Sequence, residues 1–187
     1  MRVAINGWFL DQPNTGSGQY LRGLLGALPV VRPEDEFLLV TPPGAAGFSV
    51  PGLRVEQRVL ASPRWKTNLG KVLFEQVAFP RAARAWGAEV AHVPYWGSPL
   101  TNPVPTVVTV HDLIPLLFPG YQGGAFVRFY TLMVAEAARA ADAVITDSES
   151  SKRDIVDHLG VPAGRVHAIY LAPAERFQPE PQADDEE

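Results

Sequence analysis

The chain has 187 residues, with 16 Lys+Arg, 20 Asp+Glu and no cysteine, a length that suits one sizeable core. A formal net charge of −4 argues against bulk attraction to nucleic acid or to an anionic membrane surface. The lack of cysteine excludes disulfides and thiolate metal sites, and no apolar run nears the roughly 20 residues of a membrane span.

The opening MRVAINGWFL is too short and too mixed for a signal peptide. Val3, Ala4 and Ile5 read as a short buried strand. Tyr20, Leu21, Leu24, Leu25 and Leu28 recur at helical spacing, so a helix is expected over 17–28, capped by Thr15 or Ser17 and ended by Pro29. Strands are expected at 36–40 and 53–59, and a helix over 70–86 that Pro80 bends or breaks. Strands at 88–93 and 105–112 follow, then a helix over 126–141, a strand at 142–148, a helix over 148–160 and a last strand at 165–170. Apolar strands alternating with helices predict an open, doubly wound, mostly parallel α/β sheet of about six or seven strands. Such sheets bind ligands at the carboxyl ends of their strands.

Four features lie at those ends. PNTGSGQYLRGLL places Gly16, Ser17 and Gly18 before the first helix. A dinucleotide fingerprint would need a third glycine, a tight turn directly after the strand and an acidic residue closing the second strand, and all three are missing. Looser phosphate contact through open backbone amides fits better, and a capped surface loop fits equally well. TVVTVHDLIPLLFPG carries His111 and Asp112 out of a strand. A histidine there can bond a substrate hydroxyl or phosphate, with the adjacent carboxylate biasing its charge. A packing histidine followed by a turn cap is the alternative. AHVPYWGSPL leaves Tyr95 and Trp96 near the same edge, as stacking platforms for a sugar or as rim packing, and ITDSESSKRDI places Ser148 as an N-cap with Glu149 beside it. His92, His158 and His167 show no metal-ligand spacing, so no metal site is expected. No Gly-x-Ser-x-Gly elbow suggests a hydrolase.

In this order, MRVAINGWFL with TGSGQYLRGLLGAL, AEVAHVPYWGSPL, VPTVVTVHDLIPLLFPG and ADAVITDSESSKRDIVDHLGVPAGRVHAIYLAPAERFQP resemble the N-terminal domain of a group 1 (family GT4) glycosyltransferase of the GT-B fold. The HDLIPLLFP form is most similar to a mannosyltransferase-like branch. The resemblance implies residues 1–172 as a Rossmann-like acceptor-side domain and 173–187 as a linker or disordered acidic tail, with the donor domain absent. Family members are roughly twice as long, enough for a second domain of this size. The implied reaction is retaining, metal-independent transfer of a hexose from a nucleotide diphosphate sugar to a hydroxyl acceptor. Gly16, Ser17 and Gly18 match the loop that approaches the donor diphosphate. His111 matches the strand-end histidine near the transferring sugar, and Tyr95, Trp96, Asp112, Ser148 and Glu149 would line the acceptor cleft. The chain by itself is expected to lack full activity and to need the second domain or a partner subunit. Its implied place is the cytoplasm, compatible with peripheral contact at the inner membrane face. The rival reading is a non-catalytic carbohydrate- or nucleotide-binding module acting with a partner chain.

Overall fold

In the computed structural model, which describes residues 1–45, 47–61, 67–118, 120 and 123–173, seven strands form one sheet in the order β3-β2-β1-β4-β5-β6-β7. The strands are β1 (Arg2–Asn6), β2 (Glu36–Thr41), β3 (Val55–Val59), β4 (Val90–Val93), β5 (Thr106–Thr109), β6 (Ala143–Thr146) and β7 (Val166–Ala168). Every neighbouring pair is parallel. The expected doubly wound fold is therefore the observed one. The linker or tail expected over 173–187 falls, beyond Pro173, outside the described residues.

The order reverses direction at β1. The chain winds outward from β1 through β2 to β3, then crosses back to β4 on the other side of β1. That reversal opens a crevice at the carboxyl ends of β1 and β4. The strands are short and apolar because helices cover both of their faces, so each residue of a central strand must be buried. Val3 and Ile5 of β1 and Phe37 and Leu39 of β2 pack with Leu21 and Leu25 of α1 (Gly16–Val31). Residues of the opposite parity, Ala4, Leu38, Val40, Val108 and Val144, pack on the far face. There they meet Phe79 and Ala83 of α3 (Phe79–Trp86) and Ala135 and Ala138 of α5 (Ala125–Ala140). Strand alternation thus turns His92 of β4 and Thr109 of β5 toward the α1 side, where His92 Nε2 lies 3.0 Å from Thr109 Oγ1.

Two prolines act differently from expectation. Pro29 lies inside α1, which runs on to Val31. The helix tolerates it in its last turn, where Arg32 N–H still reaches Leu28 C=O. Pro80 does not break its helical stretch. α2 (Asn68–Leu73) runs through a π-helical turn at Phe74–Ala78 into α3 without interruption. Pro80 has no N–H for the carbonyl four residues back and its ring crowds that carbonyl. The wider π turn sits where this strain would fall. Among the described residues, no helix is long and apolar enough to cross a membrane.

Candidate functional site

His111 stands just past the end of β5, half-buried, and Asp147 stands just past the end of β6. Their pairing follows from register. β5 and β6 run parallel with Val107 opposite Ala143 and Thr109 opposite Ile145. Two residues further on, the same alignment sets His111 beside Asp147. His111 Nδ1 lies 2.7 Å from Asp147 Oδ2. The carboxylate partner is thus Asp147 and not the adjacent Asp112, correcting the sequence expectation. Asp112 instead accepts a 2.9 Å bond from Ile114 N–H, capping the turn into the short helix α4 (Ile114–Leu117).

The other face of the imidazole meets Tyr20, whose ring stands edge-on with centroids 4.9 Å apart. Tyr20 belongs to the second turn of α1, so the glycine-led helix touches the strand-end histidine directly. Burial raises the Tyr20 phenol above its ordinary range. His111 Nε2, Asp147 Oδ1 and Thr146 Oγ1 are buried without a hydrogen-bond partner among the described residues.

Gly16 and Ser17 open α1, and Thr15 is the cap: its Oγ1 accepts from Gly18 N–H at 3.1 Å. The two glycines differ. A Cβ on Gly18 would lie 2.9 Å from the Phe9 carbonyl oxygen and closer still to the Gln12 carbonyl. Gly18 therefore serves close packing of the loop on the helix. A Cβ on Gly16 would meet open space, so only at Gly16 is the helix start free to be approached. Ser148 caps α6 (Glu149–Asp154), its Oγ accepting from Ser151 N–H at 3.1 Å. Glu149 is exposed in the first turn. Gly16, His111 and Ser148 thus reach one edge of the sheet.

The aromatics near β4 take the packing alternative. Tyr95 is 3% exposed and packs edge-on against Phe9, with ring centroids 4.8 Å apart. It offers no exposed stacking face. Trp96 is half-buried, and its Nε1–H donates to the Val134 carbonyl of α5 at 3.0 Å. Both belong to the packing under the crevice.

Beneath them lies a cluster that the sequence reading missed. Glu75, in the π turn, is 0% exposed. It pairs with Lys71 Nζ at 2.7 Å and accepts from Tyr130 O–H at 2.9 Å. Lys71 Nζ also bonds Tyr130 Oη and lies 5.2 Å from the centre of the Tyr95 ring. Burial pushes the Glu75 carboxyl up, and Lys71 opposes that rise. Burial, then the Glu75 charge, pushes the Tyr130 and Tyr95 phenols well above their usual range. Lys71 and Glu75 sit four apart, a spacing legible in sequence as a helical ion pair, but nothing in the sequence joins them to Tyr130. A hollow of about 200 Å³ lined by Asn68, Lys71, Phe126, Val127 and Tyr130 opens beside this cluster. Among the described residues, no group of three or more His, Asp or Glu is arranged to hold a metal.

A family model described as Glycosyltransferase Family 4 matches residues 16–172. Among solved structures, the chain is similar to sucrose-phosphate synthase from Thermosynechococcus elongatus. The identity is 18% and the TM-score 0.56, over 92% of this chain and 90% of that one. It is also matched to the apo form of the lipopolysaccharide outer core galactosyltransferase WaaB, at 10% identity and a TM-score of 0.48, over 96% of this chain and 50% of that one. The first likeness supports the fold alone, the Rossmann-like half of a GT-B architecture. No curated protein matches the chain.

Proposed function

Because the chain belongs to Glycosyltransferase Family 4, we propose that it is the N-terminal, acceptor-side domain of a retaining transferase. It would move a hexose from a nucleotide diphosphate sugar to a hydroxyl acceptor without a metal. The observation that carries this reading is His111, set by β5 at the carboxyl edge of the sheet and touching the helix that Gly16 opens. One side chain therefore borders both the place where a diphosphate would rest and the place where a sugar would react.

In this reading the open start of α1 at Gly16 and Ser17 faces the donor diphosphate. Backbone amides and the positive helix end suit the charge that grows on the leaving group. The remaining positive charge comes from a second Rossmann-like domain, on the same polypeptide or on a partner chain. His111 orients the transferring sugar and need not take a proton. Ser148 and Glu149 border the crevice, and Asp112 shapes the turn beyond His111.

The test is sugar transfer by the two-domain enzyme. His111→Ala should lower turnover by about 10²-fold, the scale of one lost transition-state hydrogen bond. Thermal unfolding should stay within a few degrees of the parent, because His111 lies at the rim of the core. Full turnover in the variant, or loss explained by unfolding, would reject the assignment.

A further inference from the structure

The contact between His111 and Asp147 fixes more than a position. An ionised carboxylate only accepts hydrogen bonds. The 2.7 Å approach of Asp147 Oδ2 to His111 Nδ1 therefore places a proton on Nδ1. In a neutral ring, Nε2 then carries a lone pair and no hydrogen. Free histidine favours the opposite tautomer, so the carboxylate is what selects this one. We infer that Asp147 is a positioning residue: it holds the neutral His111 ring in the Nδ1–H form, which leaves Nε2 as a hydrogen-bond acceptor.

Three observations carry this. The partner is delivered by the β-ladder itself, since the β5–β6 register extended by two residues pairs His111 with Asp147. Both side chains are about three-quarters buried, at 24% and 25% exposure, so the bond is shielded from competing water. Nε2 is buried and unpartnered among the described residues. Buried polar atoms are nearly always paired, and an unpaired acceptor at a strand end is where a donor belongs. The other polar side chains near the ring do not fill that need. Thr109 Oγ1 is engaged with His92 and Tyr20, and the Tyr20 ring meets the imidazole edge-on. The ligand class follows. Of the two chemistries at a sugar-transfer site, a sugar or acceptor hydroxyl can donate to Nε2, whereas an ionised diphosphate cannot. The neutral ring thus suits the sugar that the proposed function sets at His111. The ligand assignment rests on the glycosyltransferase reading; the tautomer does not.

The experiment uses the 187-residue chain labelled with ¹⁵N-histidine, its four histidines assigned by substitution. Long-range ¹H–¹⁵N spectra at a pH where the rings are neutral report which nitrogen holds the proton. His111 should show a protonated Nδ1 and a bare Nε2. Asp147→Ala should move it toward the Nε2–H form with the backbone amide spectrum otherwise unchanged, and Asp147→Glu should restore the parent pattern. Should Asp147→Ala not fold, Asp147→Ser takes its place, and the parent spectrum is decisive by itself. An Nε2–H ring in the parent, or a tautomer indifferent to loss of the carboxylate, overturns the positioning role. For the ligand, methyl hexosides should shift the Nε2 resonance and inorganic pyrophosphate should not. The reverse result, or no response to any hexoside, overturns the hydroxyl assignment. None of these measurements requires turnover, so their failure is distinguishable from failure of the transfer assay.

Discussion

Gly16 and Gly18 look interchangeable in sequence, yet their surroundings give opposite expectations for the same substitution. Gly18→Ala drives a methyl into the Gln12 and Phe9 carbonyls, which belong to backbone and cannot swing aside. It should destabilise by about 1–3 kcal/mol, the usual range for overpacking. Gly16→Ala meets open space at the first residue of a helix. It should leave stability unchanged or raise it by up to about 1 kcal/mol, because alanine is the better helix former and loses less entropy. In the two-domain enzyme the same methyl should weaken donor binding, since the amide start of α1 loses its bare approach. Paired thermal unfolding curves check the first contrast, and an equal effect at both positions would refute it. Asp112→Ala belongs to the same scale. It removes one exposed turn bond and should cost about 0.5–1 kcal/mol, with the His111–Asp147 bond intact.

At the scale of elements, the join between α2 and α3 stakes much of its stability on one buried ion pair. Lys71 and Glu75 are four residues apart, and the carboxylate is fully enclosed. Lys71→Met leaves that carboxylate without its cation and should cost about 3–5 kcal/mol, whereas the double change Lys71→Met with Glu75→Leu should recover much of it. Urea unfolding of the single and double variants measures this, and a double variant as unstable as the single would reject the account. The elements themselves were largely legible in sequence. The Val/Ile/Leu runs at β1, β2, β5 and β6 suited a covered parallel sheet, Ser148 announced its helix as a cap, and of the two caps open for α1 the structure takes Thr15. The π turn at Phe74–Ala78 was not legible, because an extra residue in one turn barely alters a 3.6-residue pattern. Tyr95 stayed ambiguous for a related reason. A strand-end aromatic reads as exposed, but Gly97, whose Cβ would fall 2.9 Å from Tyr95 Cδ2, lets the ring fold inward. Asp147 was hidden because neighbours in sequence drew attention to Asp112. Adjacent residues of extended chain point to opposite sides, so the true partner had to come from the next strand, and a fixed β5–β6 register would have named it.

The molecule as a whole balances two buried titrating groups of opposite sign. Burial lowers His92 from 6.5 to about 4. The unfolded chain therefore takes up a proton below about 6.5 while the folded chain resists until about 4, so stability falls as pH drops through that window. The loss is at most about 3 kcal/mol, and less to the extent that the half-buried ring keeps contact with water. Glu75, raised by burial, acts oppositely: its contribution is full below the unfolded carboxyl range and fades as pH rises through the folded value. Thermal unfolding from pH 4 to 7 should show the parent losing ground to His92→Gln as the solution is acidified, and parallel curves would reject the His92 linkage. The proposed division of substrates between two domains gives the last expectation. In the described structure the sheet edge brings His111, Gly16 and Ser148 together, but Lys71, the cation of the buried cluster, is already engaged by Glu75 and Tyr130. Backbone amides at Gly16 and Ser17 are then the main welcome for a diphosphate, and a few amides in open water hold such a ligand weakly because its hydration is lost for little return. Calorimetry on this chain should therefore show no saturable heat from nucleotide diphosphate sugars across about 1 μM–1 mM, the usual range of enzyme KM values. Adding the second domain should create that binding. Tight binding to the chain alone would place the donor site within these residues and reverse the proposed division.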